Sequence, residues 1–178
     1  DNGTNWKRSD SGLTNIFVTS FATFTGGTNT APLFVGTWGG VFMSIDNGSS
    51  WTSVNSGLTN SNVECLAFVD SSLFAGTLSG IYISTNFGSS WMRLTFGSFY
   101  DNILSLTSIS GNAGNSIILA GTQSVGVYKS TNNGATWTSA DSGLTGVYVP
   151  DLMVVGTNIY AAVSGVSFST DSAKSWSP

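Results

Sequence analysis

The chain has 178 residues, only 8% of them charged, and its five basic and nine acidic side chains give a net charge of −4. No run of Lys and Arg could neutralise a phosphate backbone, so we expect no nucleic-acid partner. Histidine, the usual metal ligand and general base, is absent. No apolar run approaches the roughly 20 residues of a membrane span. We therefore expect no membrane insertion, no metal and no other cofactor.

One short turn recurs along the chain, and residues 44–51 show it in full. Asp46 is placed to accept backbone N–H groups within the turn, Gly48 supplies a left-handed conformation, and Trp51 begins the next strand. We call this pattern the box turn. Its copies contain Asp1, Gly3 and Trp6; Ser44, Asp46, Gly48 and Trp51; Ser84, Asn86, Gly88 and Trp91; Ser130, Asn132, Gly134 and Trp137; and Ser169, Asp171 and Trp176, where the glycine is lost.

The closing tryptophans are separated by 45, 40, 46 and 39 residues. A period near 40 with strand-like segments predicts four-stranded propeller blades or a β-solenoid, and disfavours a helical array. Other segments repeat with the same phase. Leu33–Thr37 is similar to Leu73–Thr77 and Ile118–Thr122, and Ser-Gly-Leu-Thr occurs at 11–14, 56–59 and 142–145.

The pattern Ser-x-Asp-x-Gly-x-x-Trp resembles the Asp-box, or BNR, repeat of the sialidase-like β-propeller superfamily. The resemblance covers essentially the whole chain. Together with Ser-Gly-Leu-Thr and Ser-Thr-Asn-Asn-Gly, it is most similar to BNR-repeat regions of secreted or surface proteins from Bacteroidetes-type bacteria. It implies an all-β array of four-stranded antiparallel blades, with box turns between third and fourth strands, in an extracellular or cell-surface protein. It implies no activity, because unrelated functions share one fold.

In chain order, the sequence predicts a partial repeat with a leading strand at 1–14, then four repeats at 15–58, 59–97, 98–144 and 145–178. Gly-, Pro- and Asn-rich insertions at 25–32 and 110–115 indicate loops. We treat 1–178 as one domain, either a complete small ring or an arc of a larger propeller, and favour the arc because the repeat count fits a ring poorly.

Within the second repeat we predict strands at Val63–Val69, Ser72–Gly76, Gly80–Ser84 and Trp91–Thr95. Cys65 lies in an apolar strand without electropositive neighbours, so a buried, unreactive thiol is expected. The tryptophans of the box turns are expected to pack between blades. The remaining residues predicted in the inter-blade core are Leu66, Phe68, Phe74, Ile81, Ile83, Phe21, Leu106 and Leu152.

The order of strands predicts where a ligand would bind. In a meander, the second turn of a blade and the link to the next blade lie on the face opposite the box turns. The site candidates on that face are Trp38, Phe99, Tyr100, Asp101, Tyr148 and Asp151. Trp38 lies outside the box turns and offers an aromatic platform for a sugar or a protein partner. Asp101 and Asp151 form the pair of acids that a glycosidase would need.

The sequence gives little support for sialidase activity or for calcium binding. The sialidase resemblance implies three arginines and a tyrosine–glutamate pair, but the chain has only Arg8, Arg93 and Glu64. The stretch from Asp46 resembles the start of a calcium loop but lacks the bidentate acid. We therefore predict a non-catalytic scaffold or protein-interaction module whose partner is another protein or the remaining blades of a larger chain. The alternatives are a carbohydrate-binding module or glycosidase fragment, and an accessory or assembly subunit of a larger complex.

Overall fold

The computed structural model describes residues 2–24, 31–95, 101–111 and 115–178. Asp1, Phe99 and Tyr100 lie outside these ranges, as do most of the two predicted insertions. The described residues form fifteen strands. No helix in these ranges is long and apolar enough to cross a membrane.

The strands form four antiparallel sheets, each a meander in chain order. Sheet 1 contains β1 (Val18–Thr23), β2 (Leu33–Thr37), β3 (Gly40–Ser44) and β4 (Thr52–Ser53); sheet 2 contains β5 (Val63–Val69), β6 (Ser72–Thr77), β7 (Gly80–Ser84) and β8 (Met92–Arg93); sheet 3 contains β9 (Ile103–Ser110), β10 (Ser116–Thr122), β11 (Val127–Ser130) and β12 (Thr138–Ser139); and sheet 4 contains β13 (Asp151–Val155), β14 (Asn158–Ala162) and β15 (Val166–Ser169).

The predicted all-β, blade-like organisation is confirmed, and the box turns connect the third strand to the fourth. The outermost strands are shorter than predicted. In sheet 2 the outermost strand is only Met92–Arg93, because the backbone N–H of Trp91 donates to Ser56 in the preceding repeat and so leaves the ladder. In sheet 4 the fourth strand is reduced to one bridge between Phe168 and Ser177.

Consecutive sheets pack face to face through side chains at equivalent register positions. The forward face of a sheet, which points to the next sheet, presents Phe34 and Val41 in sheet 1, Phe74 and Ile81 in sheet 2, and Leu119 and Val127 in sheet 3. All six side chains are 0% exposed. Sealing both faces of a sheet requires neighbours, so the repeats are stable only as an array.

A backbone contact ties three of the box turns to the repeat before them, through the N–H groups of Trp51, Trp91 and Trp176. Trp91 N–H donates to the carbonyl of Ser56 at 2.8 Å, and its indole N–H donates to the carbonyl of Val54 at 2.7 Å. Gly57, in the same Ser-Gly-Leu-Thr segment, has φ +85°, and a Cβ there would collide with the carbonyl oxygen of Trp91. The repeated Ser-Gly-Leu-Thr is therefore explained by close backbone approach between blades.

The predicted core is confirmed for Leu66, Phe74, Ile81, Ile83 and Leu152, which are at most 7% exposed. Cys65 is also buried, and desolvation raises the pKa of its thiol.

Three predicted core positions differ. Phe68 and Leu106 are half-buried, because the innermost strands of sheets 1–3 line an open groove. The prediction for Phe21 was wrong, since this side chain is 72% exposed. Its equivalents pack against a preceding sheet, whereas no sheet of the described residues lies behind Phe21.

The leading segment also differs from the predicted strand. Residues 2–14 form turns and extended chain without strand pairing, and no sheet of the described residues precedes them. Leu13 packs on Val35, Phe42 and Trp51 and covers part of the rear face of sheet 1. Trp6 is 89% exposed, whereas the other four closing tryptophans are 5–8% exposed.

This contrast makes a matched pair of substitutions informative. Trp91→Ala should lower the free energy of unfolding by about 3–5 kcal/mol, because it leaves a cavity between sheets 1 and 2. Trp6→Ala removes the same side chain from the same repeat position, but one that is exposed, and should change stability by less than about 0.5 kcal/mol. Urea denaturation followed by circular dichroism measures both. Equal losses would contradict packing between sheets as the role of these tryptophans.

Candidate functional site

The box turns are closed hydrogen-bond units. The Ser44 hydroxyl donates to Asp46 Oδ1 at 2.7 Å and accepts the Gly48 N–H at 2.8 Å. Ser50 donates its N–H to Asp46 Oδ1 at 2.9 Å and its hydroxyl to Oδ2 at 2.6 Å. Both carboxylate oxygens are thus occupied by donors of the same turn, which is the arrangement of a structural acceptor.

Asparagine supports the same geometry. Asn86 Oδ1 accepts the Ser84 hydroxyl and the Ser90 N–H, both at 2.9 Å, and its Nδ2 donates to the Ser90 hydroxyl at 2.9 Å. Asn132 repeats this pattern with Ser130 and Thr136. An amide can therefore replace the carboxylate, because its oxygen accepts the same N–H and hydroxyl groups and its nitrogen donates to the second hydroxyl.

The hydrogen bonds of the box turns lower the pKa values of Asp46 and Asp171. The hydroxyl and N–H of Ser50, followed by the hydroxyl of Ser44, lower the pKa of Asp46 from 3.8 to about 2. Asp171 accepts the Ser175 hydroxyl and N–H and the Ser169 hydroxyl, and its pKa is also far below the ordinary value.

The second turns and the inter-blade links lie together, as predicted. Trp38 N–H donates to the carbonyl of Phe17 at 3.3 Å, and Leu78 N–H donates to that of Asn62 at 3.2 Å. The third sheet continues the pattern, since Gln123 N–H donates to the carbonyl of Asn102 at 3.0 Å. We call this surface the link face; its described residues are 15–17, 38–39, 61–62, 78–79, 101–102, 123–126 and 146–149.

Trp38 is the largest side chain of the link face in the described part of the chain. It is 49% exposed and stacks on Phe17, with ring centroids 5.3 Å apart and planes inclined by 24°. Phe17 and its neighbour Ile16 are each 61% exposed. Sheet 1 therefore presents a two-ring platform with an aliphatic border, and Phe17 was not among the site residues predicted from the sequence. Its position in the link, matching that of Tyr148, was the available signal.

Asp101 is held inside the link face. It is 8% exposed, and its carboxylate accepts the N–H and hydroxyl of Ser124 at 3.0–3.1 Å and the N–H of Asn102 at 2.8 Å. These donors fix the turn after β10, so the side chain acts as a turn acceptor.

The other candidates occupy different surroundings. Tyr148 is 55% exposed and adjoins the same turn as Asp101, since Val149 N–H donates to the carbonyl of Thr122 at 2.9 Å. Asp151 is exposed at the start of β13, where its carboxylate accepts the N–H of Leu152 at 2.9 Å. Among the described residues, no hydrogen bond or shared donor links Asp101 to Asp151. Phe99 and Tyr100 are not described.

An axial groove of about 260 Å³ was not foreseen from the sequence. It is lined by three consecutive residues from each of β1, β5 and β9, namely Phe21–Thr23, Leu66–Phe68 and Leu106–Ser108. The large apolar residues among them were predicted as core. The apolar–polar alternation along a strand does not indicate the distance between the innermost strands of neighbouring sheets, so the groove could not be predicted from it. The groove contains Thr and Ser hydroxyls but no ionisable side chain.

The sequence matches no protein-family model and no curated protein. Solved structures match the fold: 94% of the chain aligns with 26% of an ancestral GH74 enzyme at 24% identity and TM-score 0.70. It also aligns over 94% of its length with 25% of the extracellular domain of a putative hybrid two-component system from B. thetaiotaomicron, at 15% identity and TM-score 0.71. YCF48 bound to D1 peptide aligns over 90% of this chain and 52% of its own, at 14% identity and TM-score 0.61.

These matches show a β-propeller-type fold. The chain spans about a quarter of the first two proteins and about half of the third.

The depressed acid pKa values predict a specific pH dependence. A carboxylate whose pKa is lower in the folded than in the unfolded chain stabilises the fold above its ordinary pKa and loses that contribution as pH falls through the folded pKa. For Asp46 this window runs from 3.8 down to about 2. The double variant Asp46→Asn, Asp171→Asn should keep its melting temperature at neutral pH and lose less of it than the wild type across the window.

The reciprocal variant Asn86→Asp should steepen the acid loss, because Ser84 and Ser90 supply the same donors to a new carboxylate. Melting temperature against pH, measured by circular dichroism, tests both. Unchanged slopes in all variants would show that the box-turn acids contribute nothing to acid denaturation.

Proposed function

We propose that the chain belongs to the Asp-box group of propellers and is a non-catalytic, secreted or cell-surface module that binds a protein partner through its link face. The alignment with an extracellular domain of B. thetaiotaomicron supports the location. The low charge content and the Ser-, Thr-, Asn- and Gly-rich surface fit the same location.

One observation carries the proposal. Five of the eight exposed side chains of the link face are large and apolar, the others being Ser61, Gln123 and Ser124, and the buried acid of this face is engaged within a turn. Ile16, Phe17 and Trp38 are 49–61% exposed, and Val147 and Tyr148 are 54–55% exposed. Aromatic and aliphatic side chains of this kind anchor protein interfaces when they become buried. The carboxylate of Asp101 accepts hydrogen bonds from Ser124 and is not directed at a second acid.

A similar fold that binds a peptide supports this choice. YCF48 is bound to D1 peptide, so a protein with a similar fold binds a peptide. An accessory or assembly role in a larger complex is one form of the proposed protein binding.

A carbohydrate ligand is the second candidate, and the Phe17–Trp38 stack favours it. The indole is held in one orientation by Phe17 while half of its surface stays open, which provides a rigid apolar plane for a sugar ring. The alignment with a GH74 enzyme is compatible with this candidate.

Selection from a displayed random-peptide library tests the protein-binding proposal. The wild-type chain should enrich peptides with apolar anchors, and Trp38→Ala should reduce their binding by about tenfold or more. Met92→Ala is the matched control, because Met92 is 63% exposed on the outermost strand β8 and lies outside the link face. Peptides that bind Trp38→Ala as tightly as the wild type would refute the link face as the binding surface.

A glycan array tests the second candidate. The wild-type chain should bind a carbohydrate, and Trp38→Ala should lose that signal without a change in melting temperature, since Trp38 is half exposed. Asp101→Asn and Asp151→Asn separate binding from hydrolysis: a glycosidase would lose turnover in one of them, whereas a binding module has no turnover to lose. Failure of the wild type to bind any glycan would remove this candidate and leave protein binding untouched.

A further inference from the structure

The exposed apolar side chains of the link face lie in two separate groups. Ile16, Phe17 and Trp38 belong to sheet 1, and we call them the Trp38 group. Val147 and Tyr148 lie on the link that leads into sheet 4, and we call them the Tyr148 group. The exposed side chains between the two groups are all polar, namely Ser61, Gln123 and Ser124. The link face therefore has an apolar group at each end and a polar centre.

One position of the repeat carries much of this difference. It lies four residues before the residues that share one register position on the innermost strands, Phe21, Leu66, Leu106 and Leu152. In chain order it is occupied by Phe17, Asn62, Asn102 and Tyr148. The two outer sheets thus carry an aromatic ring where the two middle sheets carry an amide.

The exposure of the two rings is a property of this position and does not depend on a missing neighbour. Tyr148 has sheet 3 before it and is 55% exposed, and Phe17 has sheet 2 after it and is 61% exposed. The next residue behaves differently: Val18 is 38% exposed, whereas its equivalent Val149, behind sheet 3, is 0% exposed. A neighbouring sheet therefore covers the residue after the ring and leaves the ring open.

The polar centre contains a pair of amide side chains with unused hydrogen-bonding groups. The side-chain nitrogen of Asn102 donates to the side-chain oxygen of Gln123. Among the described residues, the Asn102 side-chain oxygen and the Gln123 side-chain nitrogen have no partner, and Gln123 is exposed. The pair thus offers one acceptor and one donor group, which match the N–H and C=O groups of a peptide backbone.

We propose that the partner of the link face is an extended segment of a protein, with one apolar residue on the Trp38 group, a second on the Tyr148 group and a polar stretch between them. This inference rests on the function proposed above and specifies its partner. An extended segment has backbone N–H and C=O groups to offer to the Asn102–Gln123 pair, whereas a folded partner has already paired most of its own.

The packing of the sheets sets the spacing of the two apolar residues in the partner. Neighbouring sheets pack about 10 Å apart, and Phe17 and Tyr148 are equivalent positions of sheets 1 and 4, so they are separated by roughly 20–30 Å along the arc. An extended chain advances about 3.3 Å per residue, which places the two apolar residues about six to nine positions apart. A single sugar ring or a single side chain cannot reach both groups.

Parallel selections on the wild-type chain, from a linear and a disulfide-constrained peptide library, test the proposal. The linear library should yield the tighter binders, and these should carry two apolar residues about six to nine positions apart. Fluorescence anisotropy with the selected linear peptides measures the effect of variants. Trp38→Ala and Tyr148→Ala should each weaken binding by about tenfold or more, and Gln123→Ala by about fivefold through a lost hydrogen bond.

Shortened peptides and a matched variant provide the controls. A selected peptide cut before its second apolar residue should bind more weakly and should respond to only one of Trp38→Ala and Tyr148→Ala. Ile45→Ala should leave binding unchanged, because Ile45 is 76% exposed on a box turn and lies on the opposite face. Melting temperatures of all variants, measured by circular dichroism, should stay at the wild-type value, since the substituted side chains are exposed.

The outcomes separate this inference from the function on which it rests. Binders that respond to Trp38→Ala but not to Tyr148→Ala would overturn the two-anchor segment and leave the link face as the binding surface. Tighter binders from the constrained library would overturn the extended segment and show that a folded shape is recognised. Binders indifferent to both variants, or no binders from either library, would refute the proposed function and this inference together.

Discussion

The fold depends on the contact between the closing tryptophan of a box turn and the repeat that precedes it, as seen at Trp51, Trp91 and Trp176. Trp91 and Trp176 each donate a backbone N–H to a serine carbonyl of the preceding Ser-Gly-Leu-Thr and an indole N–H to a nearby carbonyl. Only glycine allows the two backbones to approach so closely, as at Gly57 and Gly143. Because charged residues are scarce, apolar burial and these backbone hydrogen bonds hold the sheets together, and ion pairs contribute little.

Much of the fold could be predicted because this contact requires residues that repeat in the sequence, namely the closing tryptophans and the Ser-Gly-Leu-Thr segments. The period of the tryptophans gives the number of repeats, and the box turn fixes where the third strand ends. Phe21 was misassigned for a physical reason: its pattern is that of Leu66, but burial depends on a preceding sheet that no local pattern encodes. The fourth strand of sheet 2 was predicted to start at Trp91 and starts one residue later, because Trp91 gives its N–H to Ser56 in another repeat.

The candidate site was predictable only at the level of the surface. Strand order in a meander places the second turns and links on one face, so Trp38 and Tyr148 could be assigned to it. The chemical role of Asp101 was not predictable, because it depends on the turn after β10. That turn, 123–126, is longer than the two-residue turn at Leu78 and brings the N–H and hydroxyl of Ser124 to the carboxylate. In this longer turn the carboxylate of Asp101 accepts hydrogen bonds from Ser124 and Asn102 and serves as a turn acceptor.

The same logic explains where binding capacity resides in this molecule. Within a repeat array, each internal sheet uses both faces for its neighbours, so the residues left for recognition lie at the turns and at the two end faces. On the link face, Trp38 stacks on Phe17, which shelters part of the indole, and its backbone N–H donates to the carbonyl of Phe17 within sheet 1. About half of the Trp38 side chain stays exposed, so this face is suited to recognising another molecule.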